Sequence, residues 1–416
     1  MQKKKVVIVG AGVSGLIAAI ELEKNGNFDI SIIEATDRVG GRVKTDELDG
    51  FLLDRGFQVL LTNYPEAKKY LDYEKLNLKF FNPGALIFSK GKKLRFSDPL
   101  RQPKNLLNMI FSSVGTLKDK LLLFKLNQEL KKLSPNEIFE FTEDKTTLQY
   151  LYAYGFSNKI ISNFFTPFFR GIFLENDLNT SYKMFLFVFK MFGEGEAAIP
   201  ENGMEEIPKQ LKSKLKTSTF KFNTKVEKIQ ADKITLENNE NIFADFIIVA
   251  TDPSSVIPNL SSDQFEGFHS VTNMYFFSDK SFINEPLIAL IPDENRHINN
   301  VVVLTDISEK YAPKNKALIS VSFNGTLEMS ESELIKKIKL ELKEVFNIKD
   351  ETLNYLKTYE IKKALPRLSS VNYDLQETST KLTDNVYLAG DYLLNSSLNA
   401  AMLSGRKAAE AIMMKH

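Results

Sequence analysis

The chain of 416 residues contains no cysteine and three histidines, His269, His297 and His416. The first absence removes disulfides, thiolate nucleophiles, cysteine-held zinc and iron–sulfur clusters. The histidines are too scattered for a metal centre or a catalytic triad, so no metal site is expected. Charge of one sign is lacking too, because 54 Lys and Arg nearly cancel 53 Asp and Glu. A surface that tracks phosphate backbones keeps a clear basic excess, so no nucleic-acid partner is expected. Long hydrophobic runs are also missing. No stretch reaches the roughly 18–20 apolar residues of a membrane span, and the densest, "MFLFVFKMF" (Met184–Phe192), is interrupted by Lys190. Chemistry therefore falls to carboxylates, Lys, Tyr or a bound cofactor.

What is present begins with "VVIVGAGVSGLIAAIELEKNG". Lys3–Lys5 before an apolar run imitates a secretory leader, but three glycines interrupt the run and no small-x-small cleavage site follows. The expectation is a cytoplasmic protein. Val6–Val9 reads as a buried parallel strand, and Leu16, Ile17, Ala19 and Ile20 carry a helical period. Between them stand Gly10, Gly12, Val13, Ser14 and Gly15. In a βαβ unit the first glycine permits the tight turn, the second lets backbone approach a pyrophosphate, and the third lets helix pack on strand. The helix N-terminus supplies N–H groups for phosphate oxygens. Glu34, 19 residues after Gly15, ends the second strand where a carboxylate reaches ribose hydroxyls. Ala35 follows it, then Arg38, Gly40, Gly41 and Arg42 in "EATDRVGGR". Two adjacent glycines admit a ligand to the backbone, and an arginine adds a phosphate contact.

This extension resembles the FAD-binding signature of the flavin amine oxidase superfamily, which includes monoamine and polyamine oxidases, protoporphyrinogen oxidases and phytoene desaturases. "VYLAGDYLLNSSLNAAMLSGRKAAEAI" (Val386–Ile412) resembles that superfamily's second cofactor block. The resemblance implies that Gly390 and Asp391 hold the ribityl chain, and that the amides of Ala401 and Met402 face the flavin C2 carbonyl. Val226 would meet the adenine, and Pro366 of "ALPR" (Ala364–Arg367) would lie near the isoalloxazine. FAD is the expected cofactor. The expected fold class is α/β, a Rossmann-type FAD-binding domain like that of glutathione reductase, with an inserted mixed-sheet substrate domain and a helical subdomain. The FAD domain takes residues 1–80, 198–253 and 364–416. The helical subdomain takes 81–197, opening with a hairpin at "ALIFSKGKKLRFS", and the mixed sheet takes 254–363.

The helical insertion is rich in Phe and Leu, in runs such as "NLLNMIFSSV", "KDKLLLFKLNQELKKL" and "FTPFFRGIF". Helices this apolar bury most of their surface, line a greasy cavity or form a membrane-facing mouth. "FTPFFRGIF" resembles a segment over the substrate cavity in the protoporphyrinogen oxidase branch. Arg170 there pairs either with a substrate carboxylate or phosphate, or with the protein itself. Gln58 touches the flavin ring or is an ordinary strand residue. These two are the catalytic candidates. The C-terminal block carries no aromatic between Asn395 and Leu398, where amine oxidases place one wall of an aromatic cage, and more nearly resembles plant-type carotene desaturases. The resemblance therefore implies an FAD-dependent oxidoreductase that dehydrogenates or isomerises a large apolar substrate, with oxygen or a quinone as electron acceptor. An amine oxidase releasing hydrogen peroxide is the alternative. A non-catalytic binding protein, on the scaffold that Rab GDP-dissociation inhibitors share, is the second. Peripheral membrane contact and oligomeric state stay open.

Overall fold

A computed structural model of the chain describes residues 2–89, 91–97, 113–143, 145–258, 260, 265–326, 328–348 and 352–415. The β-branched run Val6–Val9 is sealed on both faces, as a central parallel strand requires. It belongs to β1 (Lys4–Val9), which pairs in parallel with β2 (Phe28–Ile33) on one side and with Phe246–Val249 on the other. Thr219–Lys221 and Val386–Leu388 complete an all-parallel sheet of five strands. Helix α1 (Val13–Asn25) makes the crossover from β1 to β2 and stops at Gly26, which adopts a left-handed φ of 82°. Alternation along β1 divides two cores. Val6 and Ile8 face α1 and the main core, whereas Val7 and Val9 pack beneath the meander Val226–Gln230, Lys233–Leu236 and Asn241–Phe243. The fold class read from the sequence holds.

A second sheet has seven strands in the order Asn354–Leu368, Phe265–Ser278, Ala317–Asn324, Asn300–Val303, Ile288–Leu290, Gly84–Ser89 and Lys92–Ser97. All its pairs are antiparallel except Ile288–Leu290 with Gly84–Ser89. Its outer face is covered by helix Glu331–Phe346, which starts with the expected capping box of Ser330 and Glu333 and buries Leu334, Ile338 and Leu342.

Two sequence assignments change here. The hairpin expected at the head of the helical insertion forms, but it extends the mixed sheet, because Ile288–Leu290 offers it an open parallel edge. "ALPR" remains inside the strand Asn354–Leu368, paired with Phe265–Ser278, and from there the carbonyls of Ala364 and Pro366 accept from Arg42 and Ser396.

The helical insertion holds Leu117–Lys131, Thr147–Tyr154, Thr166–Phe173 and Tyr182–Glu194. Pro167 has no N–H to donate into the preceding turn, and the chain relaxes there into a π-helical turn, Ile161–Phe165. Phe169 and Phe165 meet Phe185 with centroids 4.9 and 5.7 Å apart, which locks that turn onto the last helix. Most of the run "NLLNMIFSSV" lies outside the described residues. Among the described residues no helix is long and apolar enough to cross a membrane.

Candidate functional site

Gly10 holds φ at 108°, and a Cβ there would sit 2.7 Å from the Ala250 carbonyl oxygen. At Gly15 a Cβ would come within 2.1 Å of the Gly10 oxygen. The turn therefore closes only with glycine. Gly12, extended at φ −72°, precedes α1 without a side-chain cap, so the first-turn amides of Val13, Ser14 and Gly15 carry no capping side chain. Gly40–Gly41 lies against this turn. Gly40 donates its N–H to the Ala11 carbonyl at 2.9 Å, and a Cβ on Gly41 would lie 3.2 Å from the Gly12 Cα. A cradle of bare backbone on two sides with uncapped helix amides suits a phosphate group.

Glu34 is buried beside this cradle. Its carboxylate accepts the Ala11 N–H at 2.9 Å, and the N–H and hydroxyl of Thr36 at 2.9 and 2.7 Å. Lys44 donates to the Thr36 hydroxyl at 2.6 Å, and burial pushes its ammonium below the usual lysine range while the charge of Glu34 opposes that shift. Thr224 donates its N–H to the Glu34 carbonyl at 2.9 Å, which brings Val226 to the same end of β2. Ala35 is exposed on the rim.

The far end of the chain meets this structure directly. The C-terminal helix Leu398–Met414 crosses α1 so closely that a Cβ on Gly405 would stand 2.2 Å from the Ser14 oxygen. Arg42 reaches Asp391 at 2.5 Å and the Ala364 carbonyl at 3.2 Å, so one guanidinium ties the glycine loop to both later segments. Gly390 has no room for a side chain, because a Cβ would fall 2.1 Å from the Tyr392 ring.

Three sequence assignments need correction or sharpening. Arg38 does not face the cradle with a free guanidinium. Its Nε donates to both oxygens of Glu205 at 3.0 and 3.1 Å, its Nη2 to Asp46 at 2.7 Å and its Nη1 to Asp37 at 3.3 Å. It is a strut between the loop and the helix Glu206–Ser213. Ala401 does not offer its amide either. The Ser397 hydroxyl caps the Ala400 N–H at 3.0 Å and the Ser397 carbonyl takes the Ala401 N–H at 2.9 Å. Met402 lies deeper still, fully buried. Among the described residues the first-turn N–H groups of Leu398 and Asn399 have no partner, a register set by where Ser397 caps. Gln58 uses its amide nitrogen to clamp the carbonyls of Arg42 and Arg55, at 2.9 and 3.2 Å, which leaves its Oε1 for a ligand.

On the substrate side, Arg170 has no ion-pair partner among the described residues, and its Nε is buried without a hydrogen bond. Burial holds its pKa below the usual value, against the charges of Glu294 and Asp177. Beneath the neighbouring Gly171 lie the amides of Asn299 and Asn300, each 3.0 Å from where a Cβ would stand. Both are buried, with amide atoms that lack a partner among the described residues. Asn273, directly across Ser322 from Asn300 in the sheet, accepts from Ser320 and Ser322 at 3.0 and 2.5 Å.

Sequence reasoning did not single out this polar row, nor Asp54. The Asp54 carboxyl accepts from Thr45, Met204 and Tyr311 at 2.5, 2.9 and 3.0 Å. The Tyr275 hydroxyl donates to the Asp54 carbonyl at 2.8 Å, so the residue ties the two-stranded hairpin Thr45–Leu48 and Phe51–Asp54 to the seven-stranded sheet. Burial pushes this carboxyl up to about 6 despite those donors. Separately, an open groove of about 530 Å³ runs through the helical insertion, lined by Leu126, Leu130, Phe141, Tyr150, Tyr182 and Leu186. None of its lining residues belongs to the cradle.

The comparisons agree with this geometry. The chain is 27% identical over 168 residues to protoporphyrinogen oxidase 2 of Arabidopsis thaliana, 40% of this chain and 32% of that protein. It is 28% identical over 271 residues to L-amino acid oxidase Bs29 of Bothriechis schlegelii, 60% of this chain and 52% of that one. The chain thus spans between a third and about half of the curated relatives it matches. An oxidoreductase from Methanosarcina mazei superposes with a TM-score of 0.74 at 18% identity, over 99% of this chain and 100% of the other. A model of the family described as "Flavin containing amine oxidoreductase" matches residues 13–413. The glycine cradle, the acid at the end of β2 and the C-terminal block suit that family's cofactor, and the chain belongs to the flavin-containing amine oxidoreductases, with FAD as its cofactor.

Proposed function

We propose that the protein is an FAD-dependent oxidoreductase that dehydrogenates or isomerises a large apolar molecule such as a polyene, an isoprenoid or a tetrapyrrole. Gly10, Gly12, Val13, Ser14, Gly15, Gly40 and Gly41 would hold the pyrophosphate, Glu34 and Ala35 the adenosine ribose, and Val226 the adenine edge. Gly390, Asp391 and Arg42 would fix the ribityl region. When bound, FAD supplies a two-electron acceptor at ring position N5, which takes a hydride from substrate carbon. The chain's own part is to position that carbon and to exclude water. The amides of Leu398 and Asn399, at the positive end of a helix, would favour negative charge on the ring. Gln58, fixed by two backbone carbonyls, would present its Oε1 to the ring edge.

The observation that carries the apolar reading is a set of partly exposed aromatic pairs, one beside Gln58 and one in the helical insertion. Phe57 meets Phe81 edge-on at 6.2 Å, and Phe168 meets Phe192 at 5.3 Å. All four rings are half-buried, so they keep accessible apolar area. The Arabidopsis relative, by its name, oxidises a tetrapyrrole, which supports the same reading. The Bothriechis relative and the unpaired Arg170 favour a second reading, oxidation of an amino acid held by its carboxylate. Anaerobic titration of the yellow protein decides between them. Bleaching of the flavin band by a polyene or a tetrapyrrole, with none from amines or amino acids, is the expected result. Bleaching by an amino acid alone, with peroxide released in air, would overturn the apolar assignment.

A further inference from the structure

Helix Leu117–Lys131 is apolar on two opposite faces. Leu126 and Leu130 are buried in the helical insertion, together with Asp119, whose carboxylate closes the capping box on Thr116. On the far side Leu117, Leu121 and Phe124 are 64%, 71% and 50% exposed. Their spacing of four and three residues puts them within about 60° of one another on the helix. Nothing among the described residues covers them.

The flanks of this stripe are cationic. Lys118, Lys131 and Lys132 are exposed and carry no carboxylate partner among the described residues. The acids on the same helix are already engaged: Asp119 in the cap, and Glu129 with Lys125 at 3.7 Å and with the Tyr154 hydroxyl at 2.7 Å. Lysines beside an apolar stripe extend their stems along it and hold their ammonium groups outward. A helix of 15 residues with this charge is too short and too polar to cross a bilayer. It has the form of one that lies in the interface, with its apolar side among acyl chains and its lysines at anionic headgroups.

We infer that this face docks the protein on an anionic lipid surface through Leu117, Leu121 and Phe124, with Lys118, Lys131 and Lys132 at the phosphates. The inference is independent of the substrate, because it concerns only where the protein sits. Flotation of the full chain with vesicles tests it. Wild-type protein should float with vesicles of phosphatidylcholine and phosphatidylglycerol, float less with phosphatidylcholine alone, and be released by high salt. The double variant Leu121→Gln/Phe124→Gln should bind about tenfold or more weakly. Lys118→Gln/Lys131→Gln/Lys132→Gln should remove the preference for phosphatidylglycerol. Leu340→Gln, equally exposed on helix Glu331–Phe346, should change nothing. Flavin absorbance and melting temperature, read on each variant, keep a failure of cofactor binding or folding apart from a failure of docking. Wild-type protein that never floats overturns the inference, as does Leu340→Gln matching the double variant. A double variant that turns a dimer into a monomer without changing flotation overturns it too, and assigns the face to a second copy.

Discussion

The cradle and the helical insertion achieve close packing by opposite means. At the cradle side chains are removed until backbone meets backbone: Gly15 against Gly10, Gly41 against Gly12, Gly405 against Ser14. In the insertion space is filled with rings, Phe164, Phe165, Phe168, Phe169 and Phe185, at varied angles. The first arrangement resists substitution, because a Cβ at Gly15 or Gly405 would overlap backbone and one at Gly41 would press on Gly12. The second tolerates exchange among apolar side chains of similar volume, because its rings repack. A cofactor site built the first way is fixed in chemistry, whereas a substrate wall built the second way can be retuned.

That contrast yields its largest prediction at Gly15. Gly15→Val should abolish flavin retention and lower stability by about 3 kcal/mol or more, since the strand–helix contact cannot relax. Phe189→Leu, a half-buried ring in the insertion, should cost about 1 kcal/mol and leave flavin bound. Chemical denaturation with flavin absorbance measures both, and equal losses from the two would erase the distinction.

Asp54, where the hairpin Thr45–Leu48 and Phe51–Asp54 meets the seven-stranded sheet, sets a pH dependence. The folded protein binds this proton more tightly than the unfolded chain, whose value lies near 4, so the stability that Asp54 contributes is fully present below that value and is lost as pH rises through about 6. Across this window the fall should approach about 2–3 kcal/mol, and Asp54→Asn should flatten it. A variant with an unchanged slope between pH 4 and 6 would contradict the assignment.

Glu34→Gln keeps the shape of the side chain but removes its charge. Hydrogen bonds to a charged group are worth about 1.5–3 kcal/mol, so FAD affinity should drop about ten- to a hundredfold while the fold persists. Isothermal titration with FAD measures it, and unchanged affinity removes Glu34 from the ribose.

The smallest effect is expected at Asn300. Its buried Oδ1 lacks a partner among the described residues, and replacing such a group by an apolar isostere relieves the desolvation cost. Asn300→Leu should raise the melting temperature by about 1 °C, whereas a fall would show that the amide is satisfied in the folded protein.

The parts legible in the sequence are those fixed by local backbone geometry. The glycine spacing and the acid at the end of β2 announce a cradle because each glycine answers a contact within the same βαβ unit. The capping box at Ser330 was readable for the same reason. Arg38 was misread because its two-oxygen partner Glu205 lies 167 residues away, and the nearby Asp37 and Asp46 do not reveal by spacing alone that they take up the rest of its guanidinium. The donors at the C-terminal helix shifted by a turn because Ser397 sets the first residue, a choice among three adjacent polar residues that pattern alone does not make. The hairpin Gly84–Ser97 joined the mixed sheet through Ile288–Leu290, a pairing about two hundred residues apart that periodicity cannot register.

The central claim is that both ends of the chain grip one FAD. Gel filtration of the full chain after incubation with FAD, read at the visible flavin band, tests it most directly alongside Gly15→Val and Asp391→Ala. Wild-type protein should elute with one flavin per chain, and each variant, altered at a different end, should elute with much less. Colourless wild-type protein, or Asp391→Ala that keeps its flavin undiminished, would contradict it.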